Sequence, residues 1–85
     1  MKIIIYVDFS NEEFNKDFSL SNRLTSEEHT VLLVTTDGQL NASIGAYDLV
    51  LSGFSCKKDL SYLDKPTYSI KKEEDLQGLS EILKG

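Results

Sequence analysis

Three apolar runs in the chain lack the alternation of polar and apolar positions that marks a half-exposed strand. They span residues 2–7, 30–35 and 48–51 and are rich in isoleucine, leucine and valine. Continuous runs of this length are typical of central parallel strands, which are covered on both faces. A fourth run, 67–70, follows Pro66 and alternates more, so we expect it at an edge of the sheet.

The segment between the first two runs predicts an amphipathic helix. Ser10 and Glu13 have the spacing of a capping box, which predicts that this helix begins near residue 10 and continues to about residue 28. Helical periodicity then places several large apolar side chains on one broad face that packs on the sheet. The side chains of that predicted face are Phe14, Phe18 and Leu24, whereas Glu12, Glu13, Lys16 and Asp17 are predicted to point elsewhere.

Two further helices and a partly helical connection are predicted later in the chain. A short helix is expected at 39–44, and one or two helical turns within 54–65. The last helix is predicted at 73–84, where Gly78 would cost about 1 kcal/mol relative to alanine. The predicted inner face of this last helix carries Leu76, Leu79, Ile82 and Leu83.

Alternation of strands and helices predicts an α/β fold. Helical crossovers join parallel strands, and right-handed connections give a four-stranded parallel sheet in the order 2-1-3-4. Helices on both faces would make it a small flavodoxin-like or Rossmann-like domain of three layers. A chain of 85 residues has room for one core, so residues 1–85 are interpreted as a single domain.

Charge and cysteine content narrow the possible partners and the compartment. The 14 acidic and 9 basic residues give a net charge of −5, which disfavours nucleic acid and anionic membrane surfaces as partners. The lysine pairs 57–58 and 71–72 are interpreted as solvated. Cys56 is the single cysteine, and the apolar run 2–7 is too short for a leader or a membrane span, so we expect a cytoplasmic protein.

The fold class predicts the location of a functional site. Parallel α/β sheets bind ligands at the carboxyl ends of their strands, at the point where the strand order reverses, here between the first and third strands. No cofactor and no metal ion are predicted there. The candidate ligand-binding residues at this edge are Asp8, Ser10, Asn11, Asp37, Ser52, Gly53, Ser55 and Cys56.

Asp8 is the best candidate for a catalytic residue. A carboxylate that ends a buried strand beside a helix would hold a magnesium ion, accept a phosphoryl group or bind a cationic partner. The alternative is that Asp8 merely ends the strand. Aspartate sites of phosphoryl transfer usually carry a second carboxylate two residues further on, and that position is Ser10.

Each of the other candidates has a structural alternative. Ser10 and Asn11 would bind an anion at the helix start, or simply cap the helix, and the loop lacks the glycines of phosphate-binding motifs. Asp37 would bind a ribose, or form an Asp-Gly turn. Cys56 precedes two lysines that would lower the pKa of its thiol, or it is a small buried hydrophobic residue.

Three segments resemble the cytoplasmic IIB domains, of the lactose and cellobiose type, of the bacterial sugar phosphotransferase system. These segments are residues 1–7, 47–53 and 66–70. In that family a phosphorylated cysteine ends the first strand, and the corresponding residue here is Asp8. Cys56 is in a different loop and cannot take over the role, so the resemblance implies a shared architecture and not the family's chemistry.

Two functional hypotheses follow. The first is a non-catalytic protein-interaction or regulatory module that binds a protein partner, or a second copy of itself, through an edge strand or a helical face. Its acidic surface would favour a basic partner. The alternative is a domain for small-ligand binding or phosphoryl transfer, with a small anionic ligand at the carboxyl ends of the first and third strands. We favour the first, since no complete catalytic constellation is evident.

Overall fold

The computed structural model describes residues 1–84, which form four strands and three α-helices. The strands lie close to the predicted apolar runs, and the helices alternate with them except between the last two strands. In chain order the elements are β1 (Lys2–Tyr6), α1 (Phe14–Ser26), β2 (Thr30–Val34), α2 (Asp37–Ser43), a 3-10 turn (Ile44–Ala46), β3 (Leu49–Ser52), β4 (Thr67–Ser69) and α3 (Asp75–Lys84).

The four strands form one parallel sheet in the order β2-β1-β3-β4, which confirms the predicted topology. β1 lies at the centre, where Ile4 is opposite Leu32 of β2 and Val50 of β3. β4 pairs with β3 at one edge, and β2 forms the other edge. Because all four strands are parallel, their carboxyl ends lie along the same side of the sheet, where the loops that follow them come together.

Side chains of β1 enter two separate hydrophobic clusters, one on each face of the sheet. Ile3 and Ile5 belong to the cluster that α1 and α3 cover. Ile4 and Tyr6 belong to the other, which α2 and the segment after β3 cover. Both faces of β1 are buried, which is why its sequence is apolar without alternation.

The segment between β3 and β4 covers the sheet without forming a helix, so the helical turns predicted within 54–65 are wrong. Cys56 and Leu60 are buried against Ile4 and Leu40 on the α2 side. Apolar side chains at these few positions are enough to complete the layer, although the backbone follows turns and bends.

Helix α1 begins at Phe14, four residues later than the capping box predicts. Ser10 does not cap the helix, because its amide and its hydroxyl both donate to the carboxylate of Asp8 at 2.9 and 2.6 Å. Asn11 instead accepts the amide N–H of Glu13 at 2.9 Å. Phe18, predicted on the inner face, is 51% exposed.

The other two helices differ from prediction mainly at their starts. Thr36 caps α2 by accepting the amide N–H of Gln39 at 3.1 Å, so the helix begins at Asp37, and Asp37 and Gly38 lie in its first turn. α3 begins at Asp75, and Ile82, predicted on its inner face, is exposed. Among residues 1–84, no helix combines the length and the apolar composition that a membrane crossing requires.

Gly78 allows α3 to pack closely on β4. A β-carbon at this position would overlap the hydroxyl group of Tyr68. That hydroxyl donates a hydrogen bond to the main-chain carbonyl of Asp75 at 3.0 Å, so its position is fixed from two sides. The helix therefore tolerates glycine in its middle because a larger residue would separate it from the sheet.

We predict that Gly78→Ala lowers the free energy of unfolding by about 1 kcal/mol, because overpacking outweighs the gain in helix propensity. Urea unfolding followed by circular dichroism measures this change. Gly45→Ala is the matched control, since no neighbouring atom lies within 4 Å of the added methyl group. Stabilisation by Gly78→Ala would show that α3 does not pack on Tyr68 in this way.

Candidate functional site at the carboxyl ends of the strands

The loops that follow β1 and β3 meet at the predicted edge of the sheet. The amide N–H of Asp8 donates to the hydroxyl of Ser55 at 2.8 Å. The side-chain amide of Asn11 lies 3.4 Å from the carbonyl oxygen of Ser55. Candidates from the two loops are thus brought together, and Ser55 is the residue through which they contact each other.

Asp17 lies at the centre of this region, so the prediction that it points away from the packed face of the helix is wrong. Its side chain projects from α1 and is 0% exposed. The carboxylate accepts the amide N–H of Phe54 at 2.6 Å, the amide N–H of Ser55 at 2.9 Å and the hydroxyl of Ser55 at 2.5 Å. Hydrogen bonds from main-chain N–H groups offset part of the cost of burying its charge.

Gly53 is required where β3 ends against this carboxylate. A β-carbon on Gly53 would overlap the carboxyl group of Asp17. The amide N–H of Gly53 also donates to the carbonyl of Tyr6 at 3.0 Å, which continues the pairing of β1 with β3. We refer to Asp17, Gly53, Phe54 and Ser55 as the aspartate clamp, because together they fix the loop to helix α1.

Helical periodicity alone is enough to place Asp17 on the buried face of α1. At about 100° per residue, Asp17 lies only about 20° from Leu24 around the helix, whereas Phe18 lies about 120° away. Leu24 is fully buried, so an aspartate close to its direction also faces the sheet. A single polar residue within the buried stripe of a helix predicts a buried hydrogen-bonded group.

Asp8 is exposed, although its amide N–H contacts Ser55 of the clamp. Its carboxylate accepts the hydroxyl of Ser10 at 2.6 Å and the amide N–H of Ser10 at 2.9 Å. These two hydrogen bonds, the hydroxyl first, lower the pKa of the Asp8 carboxyl below its ordinary value. Asp8 is therefore an ionised carboxylate that closes a tight turn onto its own loop.

Asp37 is paired with two side chains from other elements. It accepts the hydroxyl of Tyr6 at 3.0 Å and forms an ion pair with Lys58. The hydrogen bond from Lys58, followed by the one from Tyr6, lowers the pKa of Asp37. Burial is the main cause that raises the pKa of Tyr6, and the bond to Asp37 adds to the rise. Both oxygens of Asp37 thus have partners.

Lys71 also holds the loop after β3 in place. Its ammonium group donates to the hydroxyl of Ser52 and to the carbonyl of Gly53, both at 3.0 Å, and to the carbonyl of Cys56. The interpretation of Lys71 as a solvated lysine is wrong for its ammonium group. Three candidate ligand-binding residues are thereby held in place by a lysine that follows β4.

Cys56 lies in the core rather than at the surface. Its side chain is 3% exposed and belongs to the cluster that contains Ile4, Leu40 and Leu60. The sulfur lies 3.8 Å from the carbonyl oxygen of Lys58. Of the two interpretations of Cys56, the small buried hydrophobic residue matches its surroundings.

Comparisons with known proteins add no family to these observations. Protein-family models, curated proteins and solved structures give no match to this chain. Within residues 1–84, no three side chains of histidine, cysteine, aspartate or glutamate come together as metal ligands would. The functional proposals below therefore depend on the contacts of the chain's own residues.

We predict that Asp17→Asn lowers the free energy of unfolding by about 3 kcal/mol, because an amide replaces one acceptor oxygen with a donor that faces other donors. Urea unfolding measures the loss. Asp64→Asn, at an exposed position, is the matched control and should change stability by less than about 0.5 kcal/mol.

Hydrogen exchange tests the same contacts locally. The amides of Phe54 and Ser55 should exchange faster in Asp17→Asn than in Asp64→Asn, because both donate to the lost carboxylate. Equal stability and equal exchange in the two variants would contradict the role of the aspartate clamp.

Proposed function

We propose that the chain is a non-catalytic protein-interaction module whose binding surface is an aromatic ridge at the start of α1. The ridge consists of Phe9, Phe14 and Phe18. The observation that carries the proposal is the exposure of its two outer rings, since Phe9 is 61% exposed and Phe18 is 51% exposed. Large apolar side chains grouped on a surface are characteristic of binding sites.

Ring packing makes the ridge a preformed surface. The rings of Phe9 and Phe14 meet edge to face, with their centroids 4.5 Å apart. The centroids of Phe14 and Phe18 are 6.2 Å apart. Phe14 also packs against the core cluster under α1, so it anchors both neighbours. Rigid aromatic groups supply contact area at low cost in conformational entropy, which favours them at interaction hot spots.

The charges beside the ridge favour a basic partner. Asp8, Glu12 and Glu13 come from the same stretch of chain, and the ion pair of Glu13 with its lysine, Lys16, at 2.9 Å leaves the other two carboxylates in excess. The whole chain carries a net charge of −5. We therefore propose a partner segment with apolar side chains that pack on the exposed rings and lysine or arginine residues that face the carboxylates.

The hydrogen bonding of the strand-end loops also supports a binding role rather than catalysis. Asp17 and Ser55 hold one another, Asp37 is bound by Lys58, and Cys56 is buried. These groups already have partners within the chain. A catalytic carboxylate or thiol would instead have to be free to reach a substrate.

A reducing compartment such as the cytoplasm is part of this proposal. Its support is Cys56, the single cysteine of the chain, which is a buried free thiol. Free thiols persist where glutathione and thioredoxin keep them reduced. The hydrophobic clusters on both faces of the sheet stabilise the fold without a disulfide.

A small anionic ligand is the second candidate, and one cavity favours it. A hollow of about 440 Å³ beside Ser52 is lined by Lys57, Lys58 and Lys71, among other residues. Two of these ammonium groups are already engaged, because Lys58 binds Asp37 and Lys71 binds the loop after β3. We favour the interaction module for this reason.

The aromatic ridge predicts selective binding of a basic amphipathic peptide. We expect a fluorescein-labelled peptide of leucine and lysine to bind, and its leucine and glutamate counterpart not to bind, in fluorescence anisotropy. The double substitution Phe9→Ser with Phe18→Ser should weaken binding roughly tenfold or more, because two exposed anchors are lost. Tyr62→Ser is the matched control, since Tyr62 is 62% exposed outside the ridge.

Three results would each overturn the proposal. The first is equal binding of the acidic and basic peptides, and the second is a double variant that binds as tightly as the parent chain. The third is an equal loss of binding in the double variant and in Tyr62→Ser. Circular dichroism should show the same fold in all variants, because the substituted side chains are exposed.

A further inference from the structure

β2 presents one row of main-chain groups to the open edge of the sheet. The amide N–H of Thr30 donates to Met1 at 3.0 Å, and the carbonyl of Val34 accepts the N–H of Val7 at 2.9 Å. Because main-chain groups alternate in direction along a strand, those of Val31 and Leu33 point away from β1. Within residues 1–84, no hydrogen bond to these outward groups is present.

Strand β2 and the segment that follows it carry almost no charge. Between residues 30 and 47 the single charged residue is Asp37, which is paired with Lys58, although 27% of the whole chain is charged. The exposed side chains of α2 include Gln39 and Asn41, which are neutral. β2 and α2 themselves therefore bring no unpaired carboxylate to a second copy.

The opposite edge carries the features by which proteins discourage strand pairing. β4 has only three residues and follows Pro66. Short edge strands and prolines both oppose pairing with another chain. β2 is longer, with five residues, and has no charged side chain.

We propose that β2 pairs in antiparallel orientation with β2 of a second copy of this chain. A two-fold axis passes beside Leu32, so that Val31 of one copy is opposite Leu33 of the other. Val31 and Leu33 then exchange both of their main-chain hydrogen bonds across the interface. The sheets of the two copies become one continuous sheet.

A second copy suits this edge better than an unrelated strand. A two-fold interface requires a surface that is complementary to itself, and identical antiparallel strands satisfy that condition. Elsewhere, two copies that each carry a net charge of −5 repel one another. Leu32 is only half-buried against its own cluster, and its counterpart in the second copy would cover the remaining surface. The inference is independent of the proposed function, because it involves none of the ridge residues.

Sedimentation equilibrium from micromolar to millimolar concentration tests the pairing. We expect a reversible monomer–dimer equilibrium for the parent chain. Leu33→Pro should weaken the dimer roughly tenfold or more, because proline removes an outward N–H and leaves its acceptor unpaired. Ser69→Pro is the matched control, since it removes an outward N–H from β4, and it should leave the dimer unchanged.

Cross-linking tests the proposed register and does not depend on the folding of the proline variant. Residues that face each other without hydrogen bonds in an antiparallel pair have Cα atoms about 4.5 Å apart, within reach of a disulfide. In oxidised glutathione, Leu32→Cys should therefore form a covalent dimer much faster than Ser69→Cys. Cys56 is buried and should not react.

Several outcomes would overturn the inference. A parent chain that stays monomeric throughout the concentration range would do so, as would equal weakening by Leu33→Pro and Ser69→Pro. If Leu33→Pro fails to fold, cross-linking decides, and equal rates for Leu32→Cys and Ser69→Cys reject the antiparallel β2 pairing.

Discussion

A buried carboxylate on α1 determines the structure of the carboxyl-terminal edge of the sheet. Asp17 receives hydrogen bonds from Phe54 and Ser55, and Ser55 in turn accepts the amide N–H of Asp8. Gly53 has to lack a side chain for this approach. Removing the acceptor oxygens of Asp17 would leave these donors without partners and cost about 3 kcal/mol. Helix α1, the end of β1 and the loop after β3 are therefore held as one unit.

The sheet was predictable because burial on both faces leaves a continuous apolar run, as in β1, and the parallel order then located the edge where loops meet. The start of α1 could not be predicted from the sequence, because Ser10 and Asn11 form hydrogen bonds within their own loop instead of capping the helix. Asp17 was missed because an aspartate was assumed to face solvent. Lys71 is distant in sequence from the loop it binds, and only the completed fold brings the two together.

The polar side chains of the strand-end loops are bonded to other groups of the same chain, so the proposed binding surfaces lie outside these loops. Phe9 and Phe18 belong to the loop and the helix that the contacts of Asp17 hold together. The same contacts therefore fix the position of the aromatic ridge. The edge of β2 involves none of the ridge residues, and between residues 30 and 47 the single charged residue is Asp37. The two surfaces would allow the chain to bind a basic partner and a second copy of itself at the same time.

The central claim is that the polar groups at the strand ends serve the structure and do not form a ligand site. An amide NMR titration of the whole chain with inorganic phosphate, and separately with acetyl phosphate and magnesium, tests it most directly. The account predicts no saturable shifts in residues 8–13, 36–37 and 52–56, and no added mass. Saturable shifts confined to these loops, or a phosphoryl group on Asp8, would contradict it and favour a ligand-binding or phosphoryl-transfer domain.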